Sequence, residues 1–196
     1  MNIGYARRHF LDFVRGVLRG HPGVRIERGV KLQGPGRYDL SRGSQISKHA
    51  RIWVGPGATL HLGRGAKIGT RAIVNVETGV RIGARVRISW DVQILDTDFH
   101  WVRAPDGHVQ PPSKAVTIEE DVLIGTRVLI LKGVHVGRGS VIGAGAVVRR
   151  AVTPHSIVIG NPAQEVARVA EWGAGAQTPL ADVRDERESP LASASD

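Results

Sequence analysis

Aliphatic residues recur at every sixth position through much of this chain, most regularly as Ile118, Ile124, Ile130, Val136, Ile142 and Val148. Four residues after each stands a second comb, Val122, Val128, Val134, Ser140, Ala146 and Val152, all small or branched. An α-helix turns through about 600° in six residues, so these positions would scatter around its axis. In extended chain an even step keeps them on one face, but one strand over 118–152 would far exceed the usual ~5–6 residues. The chain must therefore bend at every hexad. Three short strands per circuit make a coil of about eighteen residues and set Ile118 beneath Val136, Ile124 beneath Ile142 and Ile130 beneath Val148. The reading is all-β, a stacked parallel β-helix.

Glycine often follows the inward aliphatic, as at Gly63, Gly69, Gly83, Gly125, Gly137 and Gly143, where a corner needs backbone freedom. The beat also runs through Leu62, Ile68 and Val74, slips by two residues, and resumes at Ile82, Ile88 and Ile94. Weaker turns precede it around Ile26, Leu32, Ile46 and Ile52. A β-sandwich would space its strands about 8–12 residues apart, which this pattern does not.

The 196 residues suffice for one well-filled domain with small appendages. The absence of cysteine excludes disulfides, thiolate zinc and thiol catalysis within the chain, and agrees with a reducing compartment. No run approaches the ~20 apolar residues of a membrane span, and the start of the chain lacks an apolar export core. The expected location is cytoplasmic. The net charge of +9 invites an anionic partner, but arginines such as Arg64, Arg71, Arg85, Arg127 and Arg138 fall on outward positions along the whole chain. A basic exterior accounts for them, and no nucleic-acid module or aromatic-interleaved basic patch is present.

Four segments follow. Residues 1–20 space Tyr5, Phe10, Phe13, Val14, Val17 and Leu18 as an amphipathic helix, with Arg7, Arg8, Arg15 and Arg19 between them. This helix is suited to capping the first coil, and a basic helix with aromatics also suits an anionic membrane. The β-helix spans 24–160. Residues 161–172 begin Asn161-Pro162-Ala163, with proline placed for the first turn of a C-terminal helix. Residues 173–196, rich in Gly, Ala, Ser, Pro and charge, are expected to be disordered.

The hexads break between Ile94 and Val116, where a polar loop at 96–115 must leave the coils, carrying two of the eight histidines. Its entry is Asp96-Thr97-Asp98-Phe99-His100, and in extended chain Asp96, Asp98 and His100 would face one way. Three readings compete. His100 is a general base oriented by a carboxylate or carbonyl; or D-x-D-x-H is a metal site; or the aspartates simply make turn hydrogen bonds.

The segment IGTRVLILKGVHVGRGSVIGAGAVV followed by SIVIGNPA, together with DTDFH, resembles the hexapeptide-repeat O-acetyltransferases. That group contains the maltose and galactoside acetyltransferases and many polysaccharide-modifying acyltransferases. The resemblance covers about residues 24–170. It implies a left-handed β-helix, a homotrimer with active sites between subunits, acetyl-CoA as cosubstrate without a metal, and a saccharide acceptor. It also implies His100 as catalytic base, with Asn75 and Asp98 beside the acceptor and Trp101 offering a face to a sugar ring. Donor contacts carry over to Thr126, Ala144, Arg149, Arg150 and Asn161, the last within Gly160-Asn161-Pro162-Ala163. Arg149 stands where the family has a hydroxyl, Leu123 where tryptophan is common, and Gln164 where a basic residue is common. The zinc-dependent carbonic anhydrases that share the fold need an H-x4-H pair, which His100 lacks. The alternative from another class is a non-catalytic β-helix that binds an anionic membrane or a protein partner.

Overall fold

The computed structural model describes residues 3–173. Its strands stack on three faces of a parallel β-helix. Face A is an eight-stranded sheet: seven parallel strands, Arg25–Ile26, Gln45–Ile46, Lys67–Ile68, Arg87–Ile88, Leu123–Ile124, Val141–Ile142 and Ser156–Ile159, and a last antiparallel one, Gln164–Arg168. Face B has six strands, Lys31–Gln33, Arg51–Val54, Ile73–Val76, Gln93–Leu95, Leu129–Ile130 and Val147–Val148. Face C has five, Arg37–Leu40, Thr59–Leu62, Val80–Ile82, Val116–Ile118 and His135–Val136. The stacking read from the hexads is the observed register: Ile118 pairs with Val136, Ile124 with Ile142 and Ile130 with Val148.

The inward residues form one continuous core. Ile26, Ile46, Ile68, Ile124 and Ile142 of face A are completely buried, as are Ile118 and Val136 of face C. Each such side chain contributes on the order of 1.5–3 kcal/mol by leaving water. The second comb lies buried just before each strand, and Ser140 fits there because its hydroxyl donates to the Thr153 carbonyl at 2.9 Å. The two-residue slip after Val74 is the wider turn Glu77–Gly79 joining faces B and C. At Gly69 the coils touch so closely that a Cβ would lie 1.9 Å from the Ser89 carbonyl oxygen.

The corners bring charged groups into register. Arg71 and Arg85 adopt φ of 58°, and each grips the aspartate one coil above through two hydrogen bonds, Arg71 to Asp91 and Arg85 to Asp121. Asp91 and Asp121 are held below the ordinary carboxylate range by these arginines, and Asp39 by His61. Glu119 is lowered first by the Arg138 N–H and then by His135, and Glu165 by the hydroxyls of Thr153 and Ser156. A carboxylate lowered in the folded state stabilises it above the unfolded pKa, and that contribution is lost as pH falls through the folded pKa. The melting temperature is therefore expected to be level near neutrality and to fall progressively below about pH 4. Thermal melts across acidic buffers check this; a flat profile down to about pH 2 would contradict it.

Both ends differ from simple continuation of the coils. The N-terminal helix Ile3–Leu18 ends at Gly20, with φ 78°, and packs on the first coil through Gly16, where a Cβ would meet the Val24 carbonyl oxygen at 2.1 Å. At the other end, the helix expected at 161–172 is not formed. Gly160, at φ 92°, turns the chain back, and Gln164–Arg168 runs antiparallel along Ser156–Ile159. The last coil would otherwise expose a row of unpaired backbone donors and acceptors, and satisfying that edge outweighs the helix-start signal of the proline. The tail expected to be disordered at 173–196 lies, but for Gly173, outside the described residues.

Candidate functional site

The chain leaves face B after Leu95 as an antiparallel hairpin, pairing Val102–Arg103 with Val109–Gln110. Its root is fixed by backbone bonds from Asp98 N–H to the Pro112 carbonyl and from Lys114 N–H to the Asp96 carbonyl, both 2.8 Å. Beneath the root sits the Asp96 carboxylate, fully buried. It accepts the N–H groups of Glu77, Thr78 and Gly79, each at 2.7 Å, and so ties the hairpin to the wide turn of the coil below.

Asp98 points elsewhere. Its carboxylate meets Lys132 Nζ at 2.5 Å, and Lys132 also donates to the Pro111 carbonyl at 2.7 Å. One lysine from the next coil thus clamps both legs of the hairpin. Phe99 has φ 62°, which breaks the extended alternation on which Asp96, Asp98 and His100 were expected to share a face. The three do not converge, and among the described residues no group of His, Cys, Asp or Glu is placed to hold a metal ion. The turn-bonding reading accounts for Asp96, and ion pairing accounts for Asp98.

His100 is exposed, and its Nδ1 lies 3.4 Å from the backbone carbonyl of Asp98. A proton on Nδ1 directed at this carbonyl leaves Nε2 as the acceptor. The group beside Nδ1 is therefore a carbonyl rather than the Asp98 carboxylate. Trp101 is 64% exposed with Arg103 stacked 5.8 Å from its ring centre, so the ring stands on the hairpin instead of packing on a coil. Asn75 is half-buried on the outer side of face B, in register between Trp53 and Leu95, one coil beneath the hairpin's departure.

The residues carried over for the donor occupy two corners. Trp90, Thr126 and Ala144 stack at the corner between faces A and B: the Trp90 carbonyl accepts both Arg127 N–H and the Thr126 hydroxyl at 2.9 Å, and Gly145 N–H donates to the Thr126 carbonyl at 2.8 Å. The Thr126 hydroxyl proton is thus engaged, leaving that oxygen as an acceptor. Ala144 is exposed and leaves the corner open. Arg149 and Arg150, both exposed, follow the last face B strand at the corner between faces B and C, above Lys132. Asn161 is exposed in the turn whose flanks close the top coil, through Val147 N–H to the Gly160 carbonyl and Ala163 N–H to the Val147 carbonyl, both 2.9 Å.

Face B therefore separates His100 from Thr126 and Ala144 within one chain. About five extended residues at ~3.3 Å each put the two corners roughly 15–20 Å apart. The outer side of that face carries Lys31, Gln33, Arg51, Asn75 and Gln93 as well as Trp53, Ile73, Leu95, Leu129 and Val147, the upper coils being the more apolar, whereas face C presents Asp39, His61, Arg81, Thr117 and His135. Lys132 escaped the reading of the sequence, although the comb places it: it lies two residues after Ile130, as Asp96 lies two after Ile94. Trp90, 62% exposed beside Thr126, was likewise missed.

Residues 115–150 match the family model of bacterial transferase hexapeptide repeats, six of them, within the coils just described. Those residues carry the hexapeptide-repeat signature. The chain is similar to the polysialic acid-specific acetyltransferase NeuO, with a TM-score of 0.73 and 27% identity, covering 84% of this chain and 78% of that one. It shares its fold with the polysialic acid O-acetyltransferase OatWY at TM-score 0.69 and 21% identity, covering 82% of this chain and 83% of that one. It also shares it with AntD, an N-acyltransferase from Bacillus cereus in complex with a dTDP-amino sugar and coenzyme A, at TM-score 0.65 and 18% identity, covering 76% and 82%. Among curated proteins it is 44% identical over 66 residues to 2,3,4,5-tetrahydropyridine-2,6-dicarboxylate N-acetyltransferase of Staphylococcus aureus. That match takes in 33% of this chain and only 28% of the relative's length.

Proposed function

We propose that the protein is a CoA-dependent O-acetyltransferase that moves an acetyl group from acetyl-CoA to a sugar hydroxyl of a saccharide, glycan or glycolipid precursor. The observation carrying this reading is the exposed His100, set on a clamped hairpin with the Asp98 carbonyl at Nδ1, in a chain similar to a polysialic acid acetyltransferase. A neutral Nε2 takes the proton of the acceptor hydroxyl as its oxygen attacks the thioester carbonyl carbon. The C–S bond then breaks, and the imidazolium returns the proton to the CoA sulfur. The products are the acetyl ester and free CoA, with no covalent enzyme intermediate. Asn75, Asp98 and Trp101 border the acceptor side, and Trp101 offers its exposed face to a pyranose ring.

The donor residues fit a long anionic thioester. Ala144 leaves space at the corner, Thr126 presents a hydroxyl oxygen, and Arg149 and Arg150 supply cations for CoA phosphates. Because His100 and Thr126 lie across face B, the reading includes a homotrimer in which the hairpin of one subunit meets the Thr126–Ala144 corner of the next. The apolar residues on the outer side of the upper face B strands, Ile73, Leu95, Leu129 and Val147, support such an assembly. With acetyl-CoA as donor, the reading includes a cytoplasmic location.

The test is release of free CoA from acetyl-CoA against a panel of neutral oligosaccharides, sialylated glycans and amino sugars. Turnover confined to hydroxyl acceptors is expected. Turnover only with amino sugars would move the protein to N-acetylation, and failure to bind CoA would leave a scaffold.

A further inference from the structure

The N-terminal helix Ile3–Leu18 packs on the first coil. Asp12 and Gly16, one turn apart, are buried, whereas Phe10, Leu11, Phe13, Val17 and Leu18 are 67, 42, 40, 58 and 80% exposed. Spacings of three, four and seven residues join these five into one outward face. A contiguous apolar patch of this kind needs a cover.

Charge indicates which cover. The helix sequence contains Arg7, Arg8 and Arg15, with Arg19 just beyond it, and its one acidic residue, Asp12, is paired with Arg15 at 2.6 Å. At the helix's C-terminal end a cleft is lined by Arg19, His21, Lys31 and Tyr38. Among the described residues, neither Arg19 nor Lys31 has a carboxylate partner. A second copy of the helix would oppose like charges, and an apolar protein groove would leave these cations unmatched. A surface that is apolar within and anionic at its phosphates satisfies both halves. Among the described residues no helix is long and apolar enough to cross a membrane, so the helix would lie in the plane of the surface.

We propose that the N-terminal helix docks the protein on an anionic lipid bilayer, with Phe10, Phe13, Val17 and Leu18 entering the acyl boundary and Arg19 and Lys31 meeting lipid phosphates. Flotation of the full chain with phosphatidylcholine vesicles, with and without phosphatidylglycerol, tests this without CoA or acceptor, so its outcome is independent of the transferase reading. The protein should float with the phosphatidylglycerol vesicles and be released as salt is raised. The double variant Phe10→Ser, Val17→Ser should lower partitioning at least ~10-fold, with melting temperature and particle size unchanged. Arg19→Gln with Lys31→Gln should reduce the preference for phosphatidylglycerol. The proposal is overturned by no flotation on anionic vesicles at low salt, or by equal flotation of the Phe10/Val17 variant. It is equally overturned if that variant melts earlier or forms smaller particles, because the face would then be covered by protein.

Discussion

Replacing His100 by alanine is expected to lower CoA release in the presence of acceptor by about 10²–10⁴-fold while leaving CoA affinity within about twofold. The size follows from what an imidazole base does: without it the hydroxyl must lose its proton to water as it attacks, and each tenfold is about 1.4 kcal/mol of barrier. The two readouts separate because the residues assigned to the donor are carried by the coils, whereas His100 stands on the hairpin. His100 is exposed and among the described residues makes one side-chain hydrogen bond, the 3.4 Å contact to Asp98, so its removal should leave the fold intact. Circular dichroism and isothermal titration with CoA accompany the assay. Retention of more than about a tenth of the wild-type rate would remove His100 as base.

The coils were legible in the sequence because a parallel β-helix is nearly one-dimensional: each inward residue meets only its neighbours above and below, so spacing alone predicts contact. Ile118 over Val136 needed no knowledge of the rest of the chain. The hairpin was legible as an interruption of the beat, but its internal geometry was not. The alternation that aligned Asp96, Asp98 and His100 assumed extended chain, and Phe99 turns through the left-handed region instead. The C-terminal helix failed for a related reason. A proline start signal is local, whereas the unpaired edge of Ser156–Ile159 is set by the stacked coils, and Gln164–Arg168 pairs with it. Lys132 stood in plain register above Asp96, and its pairing with Asp98 became visible only once the hairpin folded back over it. The proposed meeting of His100 with the Thr126–Ala144 corner of a second subunit is not encoded by any spacing within a single chain.

The largest effect on stability is expected at Asp96. Its fully buried carboxylate accepts three N–H groups, Glu77 on Oδ1 and Thr78 and Gly79 on Oδ2, all at 2.7 Å. A hydrogen bond to a charged acceptor contributes roughly 1.5–3 kcal/mol, and the cost of burying the charge has already been met in the folded protein. Asp96→Ala leaves three donors facing an apolar wall, with an expected loss of about 3–5 kcal/mol. At about 2–4 °C per kcal/mol for a chain of this size, the melting temperature should fall by roughly 6–20 °C. Asp96→Asn distinguishes the charge from the volume. Either amide orientation turns an NH₂ toward at least one backbone N–H, so asparagine should still cost about 2 kcal/mol. If Asp96→Asn melts within about 1 °C of wild type, the carboxylate is not what holds the turn. Because the Asp96 backbone also accepts Lys114 N–H at the root of the hairpin, the same variants should lose CoA release below their melting temperatures. Distortion there moves His100 relative to the coils, and a misplacement of about 1 Å can cost on the order of 10²-fold in rate.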